Sequence, residues 1–314
     1  VTSPAPRAVV CGYSEIGTIG IECLVEAGFA VPLLITHEDA PGETIWWRPP
    51  AERARALGIE VSTPHPLDTP LMRARIAAQH PDFLFSFYYR DLIPPAVLAL
   101  APRGALNLHG SLLPRYRGRA PVNWVLVNGE RMTGVTLHYM DEKADHGDIV
   151  DQAEVPIAFE DTARTLFDKL AGAARIVLRR SLPRLARGTA PRRPQDHARA
   201  TTFGRRTPDD GRIDWSWPAV RIHNLVRAVA RPWPGAFTRA GAGRLLIWRA
   251  SPRPASGSAF RMAPGVVLGP AEDGVLVACG EGMLLVREAQ LDGAPPMQGP
   301  AALASALPRG ARLG

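Results

Sequence analysis

The stretch from residue 107 to residue 121, NLHGSLLPRYRGRAP, holds the residues best suited to do chemistry. Asn107 and His109 stand two apart at the end of the apolar run ALNL. Successive side chains of a strand point to opposite faces, so a strand here projects both the same way. Gly110 and Ser111 then break the strand into a loop that carries Arg115, Arg117 and Arg119. An amide that can donate to a developing oxyanion would thus share one face with an imidazole able to take and return a proton near neutral pH. At the carboxyl end of a strand in an open α/β sheet, where such sheets bind ligands, that pair suits the movement of a group between two nucleophiles. Taken alone, the pair also fits polar residues that merely cap a turn.

The elements that must hold such a pair are legible as alternating apolar runs and amphipathic stretches over the first 160 residues, the pattern of βα units on a mostly parallel sheet. RAVVCG, VPLLIT, IEVSTP, DFLFSFYY, ALNLHG and GVTLHYM are the expected strands, with helices over 17–27, 51–57, 69–79, 94–101 and 121–129. A longer helix is expected from Asp161, which can cap it, because Phe167, Leu170, Ala174, Val177 and Leu178 recur at helical spacing. Residues 188–212 are rich in Pro, Gly and charge and are expected to be a linker between a domain over 1–187 and a smaller one over 213–314. In the latter, one helix (IHNLVRAVA) precedes the strand-like runs RLLIWRA, GVVLG, GVLVACG and GMLLVREAQ, for which a small barrel is the natural closure.

Composition narrows the class. Cys11, Cys23 and Cys279 are dispersed and odd in number, which implies no disulfide framework and points to the cytoplasm. No apolar run is long enough to span a membrane and the first residues do not read as a leader, so a soluble protein without membrane insertion is expected. The formal net charge of +7 invites a nucleic-acid reading, but of 37 basic residues only Lys143 and Lys169 are lysines, a skew typical of a GC-rich coding sequence. Residues 201–314, with 14 arginines against eight acids, carry most of the excess.

The string from Asn107 to Pro121 resembles the signature of the formyltransferases that use 10-formyltetrahydrofolate. That resemblance implies a Rossmann-like, mostly parallel α/β sheet with a smaller C-terminal β-barrel of OB-like type. It implies that Asn107 and His109 act with a downstream Asp, here Asp145 in KADHGDIV, which would orient the His109 ring and favour its charged form. It also implies that Asp91, Leu92 and Ile93 in YYRDLIP meet the pteridine ring, largely through backbone groups. Asp141, Glu142, Lys143 and Ala144 would line the other side of the folate pocket, and Arg119 would contact the cofactor region. The folate is then a co-substrate and no metal is needed. Without the resemblance, Asp91 to Ile93 are an ordinary strand-to-helix connection and Arg119 is a solvated charge.

Rival sites are weaker. GYSEIGTIG (residues 12–20) follows a strand, but its glycines do not make G-x-G-x-x-G, so a strand-to-helix turn is expected there and not a dinucleotide site. Ser111 and Cys11 lack the surroundings of a nucleophile. His138, Asp145, His146 and Asp148 do not have a recognised metal-ligand spacing.

Within the family, the strings THEDAPGE, FSFYYRDLIP, APVNWVLVNGE, FGRRTPDD and RAVARPWPGAF are most similar to the enzymes that formylate UDP-4-amino-4-deoxy-L-arabinose, for lipid A modification and resistance to polymyxin and other cationic peptides. Some of those carry a fused NAD-dependent decarboxylase; none follows residue 314, so decarboxylation is expected from a separate polypeptide. The nearest alternative is methionyl-tRNA formyltransferase, which has a basic insertion in the loop after the second strand. Here that loop, THEDAPGETI (36–45), has Glu38, Asp39 and Glu43 and no Lys or Arg, and acids oppose a phosphate backbone. The expected partner is therefore a UDP-amino-sugar, with other 4-amino-sugar nucleotides inside the same expectation, and no nucleic acid. A folate-deformylating hydrolase would not need the second domain, and an RNA-binding module with a dead site would not need Asn107, His109 and Asp145.

Overall fold

The computed structural model describes residues 4–254 and 262–314; the first three residues, part of the segment judged above for a leader, lie outside it. The chain divides into two units that interleave in sequence. Residues 1–121, 132–156 and 167–203 form the first, and residues 122–131, 157–166 and 204–314 the second.

The first unit is built on a seven-stranded sheet. Its strands are β1 (Arg7–Gly12), β2 (Ala30–Ile35), β3 (Glu60–Ser62), β4 (Phe83–Phe87), β5 (Gly104–His109), β7 (Met132–Tyr139) and β8 (Ile149–Pro156), in the order β3-β2-β1-β4-β5-β7-β8. The short β6 (Arg117–Gly118) stands apart, paired in parallel with β9 (Thr202–Phe203). The first five strands in that order are parallel, whereas β7 and β8 run antiparallel. Parallel strands covered on both faces read as continuous apolar runs, and β1 and β4 do so. Val9, Cys11, Leu33, Ile35, Leu84 and Ala105 share one core with Met72, Ile76 and Val97. The last three come from the helices α3 (Pro70–Ala77) and α4 (Pro95–Leu98).

The turn GYSEIGTIG connects β1 to α1 (Ser14–Glu26), and its glycines serve close packing. A Cβ on Gly20 would stand 2.2 Å from the Phe87 ring, so the helix meets β4 at a distance only glycine permits. α2 (Pro50–Ala56) follows β2. The sequence pattern did not mark β8: it lies at the sheet edge, where Asp151 and Gln152 are half-buried and Glu154 is exposed, so polar residues interrupt the apolar run.

Two further helices are α5 (Pro121–Val127) and the 24-residue α6 (Ala163–Ala186). The cap of α6 differs from the expectation. Thr162 Oγ1 accepts the Thr165 N–H, while Asp161 accepts from the Ala158 N–H and the Thr165 hydroxyl, bracing the turn before the helix.

The second unit packs α7 (Ala219–Ala228) on an antiparallel sheet. Its strands are β10 (Ala236–Ala240), β11 (Gly243–Arg253), β12 (Val267–Ala271), β13 (Gly274–Ala278) and β14 (Met283–Leu291), with β15 (Met297–Gln298) on β14 and α8 (Pro300–Ala306) following. The edges β10 and β12 are both bridged by the last residues of the sequence, Ala240 to Leu313 and Val266 to Arg312, so the sheet closes through that segment. Cys11, Cys23 and Cys279 are buried and free. Among the described residues no helix is long and apolar enough to cross a membrane.

Candidate active site

Strand β5 delivers Asn107 and His109 to the same face, and its antiparallel partner β7 places His138 directly opposite Asn107. Asp145 comes from the connection between β7 and β8. To reach back to β5 its backbone adopts φ of 54°, a left-handed conformation costly for a residue other than glycine. Surrounding bonds hold it there. Gly118 N–H donates to Asp145 Oδ2 at 2.8 Å. The Gln195 side-chain amide donates to the Asp145 and Gly147 carbonyls at 3.0 and 2.7 Å. Gln195 is in turn fixed by Arg117, whose guanidinium donates to it at 2.6 Å and to His197 Nδ1 at 2.8 Å.

The three side chains that the sequence singled out are therefore brought together. Asn107 Nδ2 lies 3.2 Å from Asp145 Oδ1, and His109 Nδ1 lies 3.5 Å from the same oxygen. His109 Nε2 is 2.7 Å from the Tyr116 carbonyl, which only accepts, so that nitrogen carries the hydrogen and Nδ1 keeps the lone pair in the neutral ring. His109 is 6% exposed. Burial alone would raise the Asp145 pKa, but the charge His109 can carry, His138, and the Gly118 N–H outweigh it and hold the carboxyl well below its usual range. The site thus combines a carboxylate held towards its ionised form, an imidazole and an amide donor.

The residues expected to meet a cofactor lie around this centre with different exposures. Asp91 is half exposed, with its carboxylate 4.0 Å from His37 Nδ1; Leu92 is 74% exposed; Ile93 packs on the core. Asp141 to Ala144 are exposed, and Asp141 accepts from His146 Nδ1 at 2.9 Å. Arg119 is exposed, and its backbone N–H donates to the Phe203 carbonyl at 2.9 Å. Among the described residues no group of three or more His, Cys, Asp or Glu could hold a metal ion.

Sequence reasoning did not find His138, Arg117 or Gln195 as members of this site. Arg117 read as a loop charge, yet it is 8% exposed. Gln195 lies in the stretch taken for a linker. The register of GVTLHYM against ALNLHG would have flagged His138, since an antiparallel neighbour of β5 must put one residue across from Asn107.

The acidic loop is more closely tied than its sequence suggested. Arg90 pairs with Glu43 and lies 4.1 Å over the Tyr13 ring, while the Tyr13 hydroxyl donates to Asp39 at 2.6 Å. His37 stacks on Tyr89 at 4.1 Å.

A Rossmann-like sheet with an Asn and a His at one strand end and an Asp brought to them from a neighbouring connection, with a separate antiparallel sheet in the same chain, defines a two-unit α/β protein with a polar site. Comparison narrows the class. The family model described as formyl transferase matches residues 48–182, and that described as formyl transferase, C-terminal domain, matches residues 205–307. The chain belongs to the formyl transferase family and is an enzyme of that kind. It is similar in fold to the N-formyltransferase from Helicobacter canadensis solved with folinic acid and dTDP-3-aminofucose, at 19% identity and a TM-score of 0.68 over 91% of this chain and 99% of that one. It is likewise similar to WlaRD, a sugar 3N-formyl transferase solved with dTDP and 5-N-formyl-THF, at 18% identity and a TM-score of 0.70 over 93% of this chain and 100% of that one. The methionyl-tRNA formyltransferase from Clostridium thermocellum matches at 18% identity with a TM-score of 0.57, over 78% of this chain and 93% of that one.

Proposed function

We propose that this enzyme transfers the formyl group of 10-formyltetrahydrofolate to the amino group of a sugar nucleotide, and that the acceptor is UDP-4-amino-4-deoxy-L-arabinose, destined for lipid A. The observation that carries this is the convergence of Asn107, His109 and the ionised Asp145. The amine nitrogen attacks the formyl carbon, and the oxygen that gains charge meets an Asn107 N–H. His109 Nδ1 takes the proton the amine loses, Asp145 stabilises the resulting charge, and the proton passes to folate N10 as the carbon–nitrogen bond breaks. No metal takes part. The exposed Leu92 offers an apolar surface to a flat pteridine ring, and Asp91, Ile93, Arg119 and residues 141–144 complete the folate pocket in this reading.

The acceptor assignment draws on the sequence strings given above and on the loop over 36–45. With Glu43 paired to Arg90 and Asp39 held by Tyr13, that loop supplies a braced acidic wall where tRNA binding needs neutralised phosphates. The dTDP-3-aminofucose named with the Helicobacter canadensis enzyme, and the dTDP named with WlaRD, support the class of acceptor. Cytoplasmic location and a catalytic domain over 1–187 followed by a linker and a barrel over 213–314 belong to the same proposal.

The test is an acceptor panel with 10-formyltetrahydrofolate. UDP-4-amino-4-deoxy-L-arabinose should be formylated at a rate little changed by moderate salt, and methionyl-tRNA negligibly. Steeply salt-sensitive transfer to the charged tRNA with the sugar nucleotides untouched would overturn the reading; preference for another amino-sugar nucleotide would overturn only the choice of sugar.

A further inference from the structure

We infer that His37 is a positioning residue for the folate: it accepts the Arg90 N–H and so sets the main chain that leads into Asp91, Leu92 and Ile93. The inference rests on the folate pocket proposed above. Residues 88–94, between β4 and α4, form neither helix nor strand. Tyr88 enters them with φ of 55°, a left-handed conformation that a residue other than glycine keeps only where its surroundings hold it. His37, two residues beyond β2, reaches this segment from across β1. Its Nε2 lies 3.0 Å from the Arg90 backbone nitrogen. A peptide N–H only donates, so Nε2 presents the lone pair and the neutral ring keeps its hydrogen on Nδ1. That hydrogen is on the side of Asp91, whose carboxylate stands 4.0 Å from Nδ1.

The ring is seated by more than this bond. It stacks on Tyr89 at 4.1 Å and meets the edge of Tyr13, next to the end of β1, with centroids 5.7 Å apart. Its side chain is 15% exposed. Arg90 has a separate anchor in its own side chain, which pairs with Glu43 and lies over Tyr13, but a long side chain leaves rotation of the main chain open. The His37 bond acts on the peptide plane between Tyr89 and Arg90. The next three residues carry the backbone groups assigned to the pteridine ring.

Protonation would place a hydrogen on Nε2 facing the Arg90 N–H, and the bond would be lost. Burial of the ring is the largest influence on that step and holds the His37 pKa below its ordinary value. Around the ring, Asp91 and Glu43 favour the proton, whereas Arg90 and His65 oppose it. Glu38 and Asp39 of the same loop are engaged by the Thr63 and Tyr13 hydroxyls, and burial keeps Tyr13 and Tyr89 neutral. The accepting ring is therefore present at neutral pH and is lost as pH falls through the lowered value, which weakens folate binding in acid. A role in packing alone would ask for the ring and not for its lone pair.

The experiment measures the dissociation constant of 5-formyltetrahydrofolate by titration calorimetry, with no acceptor present, for the wild type, His37→Phe, His37→Gln and Leu92→Ala, each checked for folding by its melting curve. At pH 7.5 His37→Phe, which keeps a ring against Tyr89 but offers no acceptor, should bind about 3- to 10-fold more weakly, the scale of one lost hydrogen bond. His37→Gln, which keeps an acceptor, should bind within about twofold of the wild type. Between pH 7.5 and pH 5.0 the wild-type constant should rise about threefold more than that of His37→Gln, which has no ring to protonate. Wild-type affinity in the phenylalanine variant, a glutamine variant as weak as phenylalanine, or equal pH dependence in wild type and glutamine would each overturn the inference. If phenylalanine prevents folding, His37→Leu supplies the same comparison. Leu92→Ala, at an exposed side chain, tests the pocket itself. Unchanged affinity there would remove this segment from the folate pocket, whereas weakened binding there beside a wild-type-like His37→Phe would overturn the positioning role alone.

Discussion

At the scale of single residues, the site works by dividing hydrogen-bond roles that share one carboxylate. Asp145 Oδ1 accepts from Asn107 and stands 3.5 Å from a nitrogen of His109 and of His138, while Asp145 Oδ2 accepts the Gly118 N–H, surroundings that favour the ionised carboxylate. Removing one member should then have a specific cost. Asn107→Ala should lower kcat on the order of 100- to 1,000-fold by removing the oxyanion donor, and His109→Ala roughly 100- to 10,000-fold by removing proton transfer. Steady-state kinetics with folate KM near the wild-type value check this, and a near-normal kcat in either variant removes that residue from the mechanism. Asn107 and His109 were visible in the sequence because a two-residue spacing on a strand forces a shared face. His138 and Gln195 were not, since a residue that acts on another side chain carries no motif of its own and is found only once strand register and loop path are known.

At the scale of elements, the centre depends on a loop held in an unfavourable backbone conformation by a two-strand ladder far along the chain. β6 lies within the signature and β9 beyond α6, yet their pairing places Gly118 N–H on Asp145. Gly118 has φ of 92° and a Cβ there would stand 2.3 Å from the Phe203 carbonyl oxygen, so only glycine lets the ladder close. Gly118→Ala should cost about 1–3 kcal/mol of stability and lower kcat as well, because relieving the clash with Phe203 moves the residue 118 N–H away from Asp145. Thermal melts and kinetics on one preparation check it; unchanged kcat with reduced stability would show that the ladder does not position Asp145. The strands β1, β2, β4 and β5 were legible from continuous apolar runs, since parallel strands bury both faces. β8 and β10 were not, because an edge strand keeps polar side chains and AFTRA is too short to show a period.

At the scale of the whole molecule, part of the arginine excess is engaged within the structure. In the second unit Arg231, Arg253 and Arg287 pair with Glu288, Glu272 and Asp273, and Arg206, Arg221 and Arg244 lie over aromatic rings. Such side chains hold strands and helices together. Composition could show the excess but not its use, since pairing depends on which strands the fold sets side by side.

The same unit carries a titratable group that links stability to pH. His223 on α7 is 3% exposed, stacks on Phe159 at 4.5 Å and bonds the Ala250 carbonyl through Nδ1 at 2.8 Å. Burial lowers its pKa against the pull of two carbonyls, so between the folded value and the ordinary value of 6.5 the unfolded chain binds the extra proton and the folded chain does not. Stability should therefore rise with pH across that window and be lost as pH falls below about 6.5. His223→Gln keeps a donor for the Ala250 carbonyl without the titration, so its melting temperature should fall less between pH 7.5 and pH 5.5 than that of the wild type. Equal falls in the two proteins would show that His223 does not carry the acid sensitivity of the fold.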